Sequence, residues 1–283
     1  MPTGQPLALA MEQLHQARIT GARTLFDTDG PPDLRRHDVE DEVAFAAERD
    51  ADREAYNACF GTSLMTEARA RELLRAAASR VTNGYKDYAP IDFGGGLTFG
   101  RFVTTDSGTG RWQFFNRAIV APLVRGRRVI DLGCNNGSMP SMMLRDGARS
   151  VLGIEGTPEI ADLARVTGTI LAWRDMRSYD FRVITGDMRL FITNELGPFD
   201  VVTAFCSLYY LPRNAMTAVI ARAAAAGATL VLQANETIRN LPARAAELKA
   251  LMEVNGYPNV AVHHYPGFGR PLLVGSAPPV GRH

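Results

Sequence analysis

The apolar and polar positions change rhythm three times along the chain. Over roughly the first eighty residues the apolar positions recur at helical spacing, and residues 7–20 and 38–59 are predicted helices. The second carries Val39, Val43, Ala46 and Ala47 on one face and loads its first turn with Asp38, Glu40, Asp41 and Glu42, where acids suit the positive end of the helix dipole. That acidic run reads as a solvated face. A third helix is predicted over 64–81, with Leu64, Leu73, Leu74 and Val81 as its apolar positions. Between residues 83 and 111 the texture turns to glycine, threonine, proline and aromatics, centred on Ile91-Asp-Phe-Gly-Gly-Gly-Leu-Thr-Phe-Gly-Arg-Phe102. This predicts a loop or short hairpin. No Gly-Lys-Ser/Thr and no immediate helix follow the glycines, so a turn is favoured over a phosphate cradle.

From residue 112 onward strands and helices alternate. Trp112 to Leu123 is predicted helical, 128–132 a strand, 138–146 a helix and 150–155 a second strand, after which Thr157-Pro-Glu opens a helix to about 175. Strands follow at 181–185, 200–205 and 229–234, with helices near 213–226 and 242–255. Two extended runs close the chain, Val260 to Tyr265 and Pro271 to Gly275, separated by Pro266-Gly-Phe-Gly and read as a hairpin. The expected organisation is a helical N-terminal cap over 1–82, a linker over 83–111 and an α/β core over 112–283.

Chemistry concentrates where the first core strand ends. Val129, Ile130 and Leu132 favour a buried strand, and Gly133 and Gly137 let the backbone turn where a Cβ would collide with a ligand. Ser138 is placed to cap the following helix, whose Met139, Met142, Met143 and Leu144 form an apolar face. The next strand ends in Glu155, followed by Gly156, where a carboxylate can accept hydrogen bonds from both hydroxyls of a ribose. Together these form the footprint of a nucleoside-bearing cofactor on an α/β sheet. A dinucleotide loop would carry G-x-G-x-x-G, whereas this one reads Asp131-x-Gly133-x-Asn135-x-Gly137, with Cys134 inside it.

That spacing resembles the D-x-G-x-G-x-G loop of class I S-adenosylmethionine-dependent methyltransferases. Asn135 departs from the pattern, and Asn accepts left-handed backbone angles better than most residues with a side chain. The resemblance spans roughly residues 110–276 and implies a seven-stranded Rossmann-like sheet whose last strand runs antiparallel, with S-adenosyl-L-methionine as cofactor. It implies that Asp131 starts the loop under the methionine part and that Glu155 holds the ribose. Asp187 would sit by the adenine amino group with Met188 beside the ring, although Asp187 also reads as a helix cap. A narrower likeness, in Ile91 to Gly100, Trp112 and Leu208-Tyr209, is to the wobble-uridine methoxy/carboxymethyl transferase family and its small-molecule relatives, and implies that Trp112 stands at the cofactor. A lysine that follows this tryptophan in the tRNA carboxymethyl branch is Gln113 here, which argues for the ordinary cofactor.

Cys206 and Ser207, just past the strand at 200–205, are expected to line the cofactor. Tyr209 and Tyr210 point towards the acceptor, with Tyr209 a candidate catalytic group against the plainer reading of packing. Asn235 occupies another substrate-facing edge, and Glu236 is either a general base or a plain helix-end acid. His263 and His264 alternate along one strand, so at most one, with His264 the candidate, reaches a substrate pocket.

Composition trims the list of functions. With 31 Lys and Arg against 30 Asp and Glu the chain is no polycation, which disfavours nucleic acid as a partner. Three scattered cysteines suggest neither a disulfide framework nor a zinc site. No membrane-spanning run or basic leader is evident, so a cytoplasmic protein is expected. The reading that results is a methyltransferase of a small molecule, placed in specialised metabolism. Its alternatives are a tRNA wobble-uridine transferase and a non-methylating partner subunit, and the N-terminal helices serve either as a lid or as the contact of a homodimer or partner protein.

Overall fold

The computed structural model describes residues 65–82, 90–100, 112, 116–175, 177, 179–265 and 268–277. The helices expected at 7–20 and 38–59, and the position of Gln113, lie outside the described residues. The first described helix, Glu67–Arg80, is opened by Thr66, whose side chain accepts from the Arg69 N–H. It buries Ala70, Leu74 and Ala77, and Arg80 reaches Asp162 of the helix Pro158–Arg174 at 3.3 Å.

A two-stranded hairpin follows, β1 (Ile91–Asp92) against β2 (Thr98–Phe99). The turn expectation for the three glycines therefore holds: all three take positive φ, and arginines hold the loop. Arg145 donates to the carbonyls of Asp92 (2.7 Å) and Phe93 (3.0 Å), and Arg71 donates to that of Gly96 (3.1 Å). A Cβ on Gly95, whose φ is +55°, would lie 1.5 Å from an Arg174 guanidinium nitrogen. The loop thus lies against the core while Ile91, Phe93 and Leu97 are fully buried.

The core sheet holds seven strands: β3 (Arg128–Leu132), β4 (Ser150–Glu155), β5 (Phe181–Thr185), β6 (Val201–Phe205), β7 (Thr229–Gln233), β8 (Val260–Tyr265) and β9 (Phe268–Gly275). Their spatial order is β5-β4-β3-β6-β7-β9-β8. β3 to β7 are parallel, and β9 inserts antiparallel between β7 and β8, as expected for the last strand. Period-two alternation divides the core into two layers. Ile130, Leu132, Ile154, Val202 and Leu230 pack on the side of the helices Arg213–Ala225 and Ala245–Val254. Val129, Val151, Val201 and Val231 face the helices Glu67–Arg80, Arg117–Val124, Ser138–Arg145 and Pro158–Arg174. Each such aliphatic side chain contributes roughly 1.5–3 kcal/mol when fully buried.

Three details differ from the sequence expectation. The helix expected from Trp112 is regular α-helix only from Arg117, with Trp112 and Asn116 ahead of it in π-helical backbone; the Trp112 indole N–H is held by the buried Asp146 carboxylate at 2.7 Å, which also pairs with Arg117. The helix at 138 is capped by Gly137, at φ +83°, while the Ser138 hydroxyl turns to the Pro90 carbonyl (3.4 Å) and makes no cap. The last strand begins at Phe268 rather than Pro271, which brings Arg270 into the sheet. No described helix is long and apolar enough to cross a membrane.

The chain runs from β3 outward through β4 and β5 and then returns to the other side of β3 as β6. This reversal opens a crevice at the carboxyl ends of β3 and β6, where open α/β sheets bind ligands.

Candidate active site

A cavity of about 450 Å³ occupies that crevice, within the range of small-ligand pockets. Its floor is the turn leaving β3. Gly133 has φ +76°, and a Cβ there would stand 2.6 Å from the Ser207 Cβ, so the backbone of one loop and the side chain of the next touch only because position 133 is glycine. Asn135 takes the left-handed conformation, φ +50°, as its residue type allows. Its N–H donates to Glu155 Oε2 (3.1 Å), and the Thr157 N–H donates to Glu155 Oε1 (2.9 Å). A carboxylate has about four acceptor sites, so two backbone donors leave capacity for a diol.

Beside the floor, Asp187 and Met188 line the wall past β5. Asp187 accepts from the Arg189 backbone (2.7 Å) and guanidinium (2.9 Å), and this pairing holds its carboxyl below the usual carboxylate range. Asp187 thus braces the turn ahead of the short helix Leu190–Thr193, whose N-cap is Arg189, and it still borders the cavity. Past β6 the chain turns through Cys206 at φ +59°, rare for a residue with a side chain, and a 3-10 turn Leu208–Tyr210 follows. Ser207 donates to the Leu132 carbonyl, which ties the β6 loop to the β3 loop. Tyr209 is buried and hydrogen-bonds with Asn235, while Tyr210 is 57% exposed at the mouth with its ring centroid 5.0 Å from that of Tyr209. Burial pushes the Tyr209 phenol well above its ordinary pKa, with the Cys206 thiol adding to the shift, so Tyr209 is a hydrogen-bonding group and not a base at neutral pH.

Eleven residues anticipated from sequence meet in this one cavity: Gly133, Asn135, Glu155, Gly156, Asp187, Met188, Cys206, Ser207, Tyr209, Tyr210 and Asn235. Thr157, Ile160, Phe205 and Arg270 join them without having been anticipated. Thr157 and Ile160 follow Glu155 directly and were read only as the start of a helix. Arg270 was hidden in a stretch read as turn.

Six anticipated residues do not line the cavity. Asp131 lies beneath it, fully enclosed, where the Thr203 hydroxyl donates to Oδ1 at 2.6 Å. Burial pushes its carboxyl up to about 7, against the Thr203 bond, and the nearby Glu155 charge adds to the rise. Cys134 is buried against Gly153, and its thiol is pushed well up, first by burial. Gly137 serves as the helix cap. Trp112 is buried, its indole N–H held by Asp146 at the far end of the helix Ser138–Arg145, and does not line the cavity. Glu236 is turned away: Oε1 accepts the N–H of Ala245, the first residue of the helix Ala245–Val254, so its carboxylate serves that helix end. His264 is exposed on β8, the outermost strand.

Comparison with known proteins agrees with this architecture. Residues 129–227 match a family described as a methyltransferase domain. The N-terminal domain of EvdMO1 with SAH bound is similar to this chain at 19% identity, covering 77% of this chain and 100% of that one with a TM-score of 0.52. The same domain in the presence of SAH and D-fucose gives 20% identity, the same coverage and a TM-score of 0.50. Magnesium protoporphyrin IX methyltransferase from Synechocystis PCC 6803 with bound SAH is 18% identical over 66% of this chain and 91% of that one, with a TM-score of 0.48. No curated protein matches in sequence. Identities this low speak to the fold, and it is over a segment similar to a methyltransferase domain, set in a Rossmann-like sheet of the methyltransferase kind, that this cavity is built.

Proposed function

We propose that this protein is an S-adenosylmethionine-dependent methyltransferase of a small molecule. The observation that carries the reading is the convergence, at the carboxyl ends of four successive strands, of a close-approach glycine, a carboxylate with spare acceptor sites, an Asp-Met wall and a tyrosine-bearing loop. These groups fit the parts of the cofactor. Glu155 would accept from the ribose hydroxyls, Asp187 and Met188 would flank the adenine with Ile160, and the turn at Gly133 would let the amino-acid portion lie against backbone. When bound, the cofactor supplies a methyl group on a sulfonium, which leaves as a neutral thioether once the acceptor's electron pair has displaced it.

The protein's part is alignment and exclusion of water. Tyr209, fixed by Asn235 and pressed against Tyr210, would orient the acceptor through its phenol O–H, and Tyr210 stands where a ligand would enter. The near-neutral charge supports a small acceptor over RNA. The finer assignments of the sequence reading, to specialised metabolism and to a cytoplasmic setting, belong to this proposal as well.

Calorimetric titration with S-adenosylmethionine and S-adenosylhomocysteine (SAH) tests the reading, followed by mass spectrometry of metabolite pools incubated with methyl-labelled cofactor. Binding of both ligands and a labelled small product are expected. Absence of binding at millimolar ligand would remove the cofactor assignment. Binding with label transferred only to RNA would remove the acceptor class.

A further inference from the structure

Resting on the reading of this cavity as a methyl-transfer site, we propose that the Asn235–Tyr209 pair selects acceptor molecules that meet it with an oxygen lone pair, and that Thr237, outside the cavity lining, is the positioning residue that sets this polarity. Asn235 and Tyr209 are both buried, and both line the cavity, past β7 and β6. Which end of a side-chain amide carries the oxygen follows from partners that hydrogen-bond in one direction only. The Thr237 backbone N–H, which can only donate, lies 3.1 Å from Asn235 Oδ1, and the Thr237 hydroxyl donates to the same oxygen at 2.6 Å. This is the turn that Asn makes with the backbone two residues on, here closed twice by one threonine. The Asn235 N–H donates to the Ala243 carbonyl (2.8 Å), which holds the backbone beneath the amide.

With both Thr237 donors on the oxygen, the other end of the amide, an NH2 that can only donate, faces Tyr209. The phenol oxygen therefore accepts from Asn235, and this bond works against the rise that burial imposes on the phenol. Tyr209 keeps its proton at neutral pH and has no use for it towards Asn235. The Cys206 sulfur also lies beside the phenol. Its direction follows in the same way: the buried Gln233 NH2 donates to the Arg270 carbonyl (3.3 Å), which can only accept, so Gln233 Oε1 faces Cys206. The Cys206 S–H points to that oxygen (3.5 Å) and to the Ala234 carbonyl (3.7 Å), and the sulfur offers Tyr209 a lone pair alone. Sulfur is a weak acceptor. An oxygen of a bound ligand is a better one and draws the Tyr209 O–H into the cavity, whereas a ligand group that offers only N–H there leaves a buried donor unmatched. A carbonyl, an N-oxide or an ionised hydroxyl fits this end of the site.

The test uses the full chain saturated with SAH and two neutral probes of one shape, titrated by ligand-observed NMR: pyridine N-oxide, whose oxygen only accepts, and aniline, whose amine mainly donates. The N-oxide should bind at least threefold more tightly. In Asn235→Asp the carboxylate accepts from Thr237 and from Tyr209 alike, the phenol proton turns away from the cavity, and the preference should vanish or reverse. Thr237→Ser, which keeps both donors, should retain the preference, and Thr237→Val, which keeps only the N–H, should reduce it at least twofold. A wild-type preference below threefold overturns the proposal, as does failure of the N-oxide to bind. So does a full preference retained in Asn235→Asp or, should that variant not hold SAH, in Tyr209→Phe. A preference unchanged in Thr237→Val removes the positioning role of Thr237. Failure of SAH to bind the wild type would instead strike the methyltransferase reading itself, so the two failures are distinct.

Discussion

Replacing Glu155 by Gln perturbs the cofactor end of the cavity with almost no change of shape. The native carboxylate accepts two backbone N–H groups, from Asn135 at 3.1 Å and Thr157 at 2.9 Å. Gln keeps one acceptor oxygen and sets an NH2 against the other N–H, so one charge-assisted hydrogen bond becomes an opposition of donors. Hydrogen bonds to charged groups contribute about 1.5–3 kcal/mol, and the half-buried position lets water recover part of that. If the same carboxylate also holds a ribose, SAH binding should weaken by about 1–3 kcal/mol, or roughly 5- to 150-fold in Kd. The ligand-free protein should lose on the order of 1 kcal/mol, which lowers Tm by about 2–4 °C for a chain of this size. Calorimetric titration with SAH and thermal unfolding without it separate the two effects. A lowered Tm with SAH affinity unchanged within twofold would show that Glu155 only braces the loop, and the ribose assignment would fall.

Two further outcomes test the placement of buried groups. Trp112→Phe removes the indole donor from Asp146, and stability to urea should fall by about 1–3 kcal/mol while SAH affinity stays within twofold, since the residue packs outside the cavity; a large loss of affinity without loss of stability would return Trp112 to the site. Asp131 has a folded pKa of about 7, above the ordinary value near 4, so its contribution to stability is fully present below about pH 4 and is lost as pH rises through about 7. In urea melts across that window Asp131→Asn should gain on the wild type with rising pH, by on the order of 4 kcal/mol at most, and parallel pH profiles would refute the burial argument.

The sheet was legible from sequence because its strands are short apolar runs bounded by turn residues, and six of the seven match the expected bounds to within one residue. Asn135 and Glu155 were legible for a related reason: loop spacing and a strand-terminal acid are local signals. What local pattern did not show depends on partners distant in sequence: Asp146 holds the Trp112 indole, the Ala245 N–H occupies the Glu236 carboxylate, and the Pro90 carbonyl takes the Ser138 hydroxyl. Period alone could not show which of these claims a polar group. Arg270 escaped because Pro266-Gly267 and Gly269 read as turn, whereas pairing with β8, Tyr265 opposite Phe268, carries the strand back to Phe268. Cys206 gave no local hint of its left-handed backbone, which the junction between β6 and the 3-10 turn imposes.

The arginine-clasped hairpin has a consequence for where the folding unit begins. The matched segment starts at residue 129, but Ile91, Phe93 and Leu97 belong to the same apolar cluster as Val129, Met143 and Val151. Cutting the chain at the matched boundary would bare that cluster and leave the Arg145 guanidinium without two of its carbonyl acceptors. It would also take away the Pro90 carbonyl that touches Ser138, one residue past the ligand loop. The matched segment is thus smaller than the packed unit at both ends: it begins after the hairpin and stops before β7, β8 and β9.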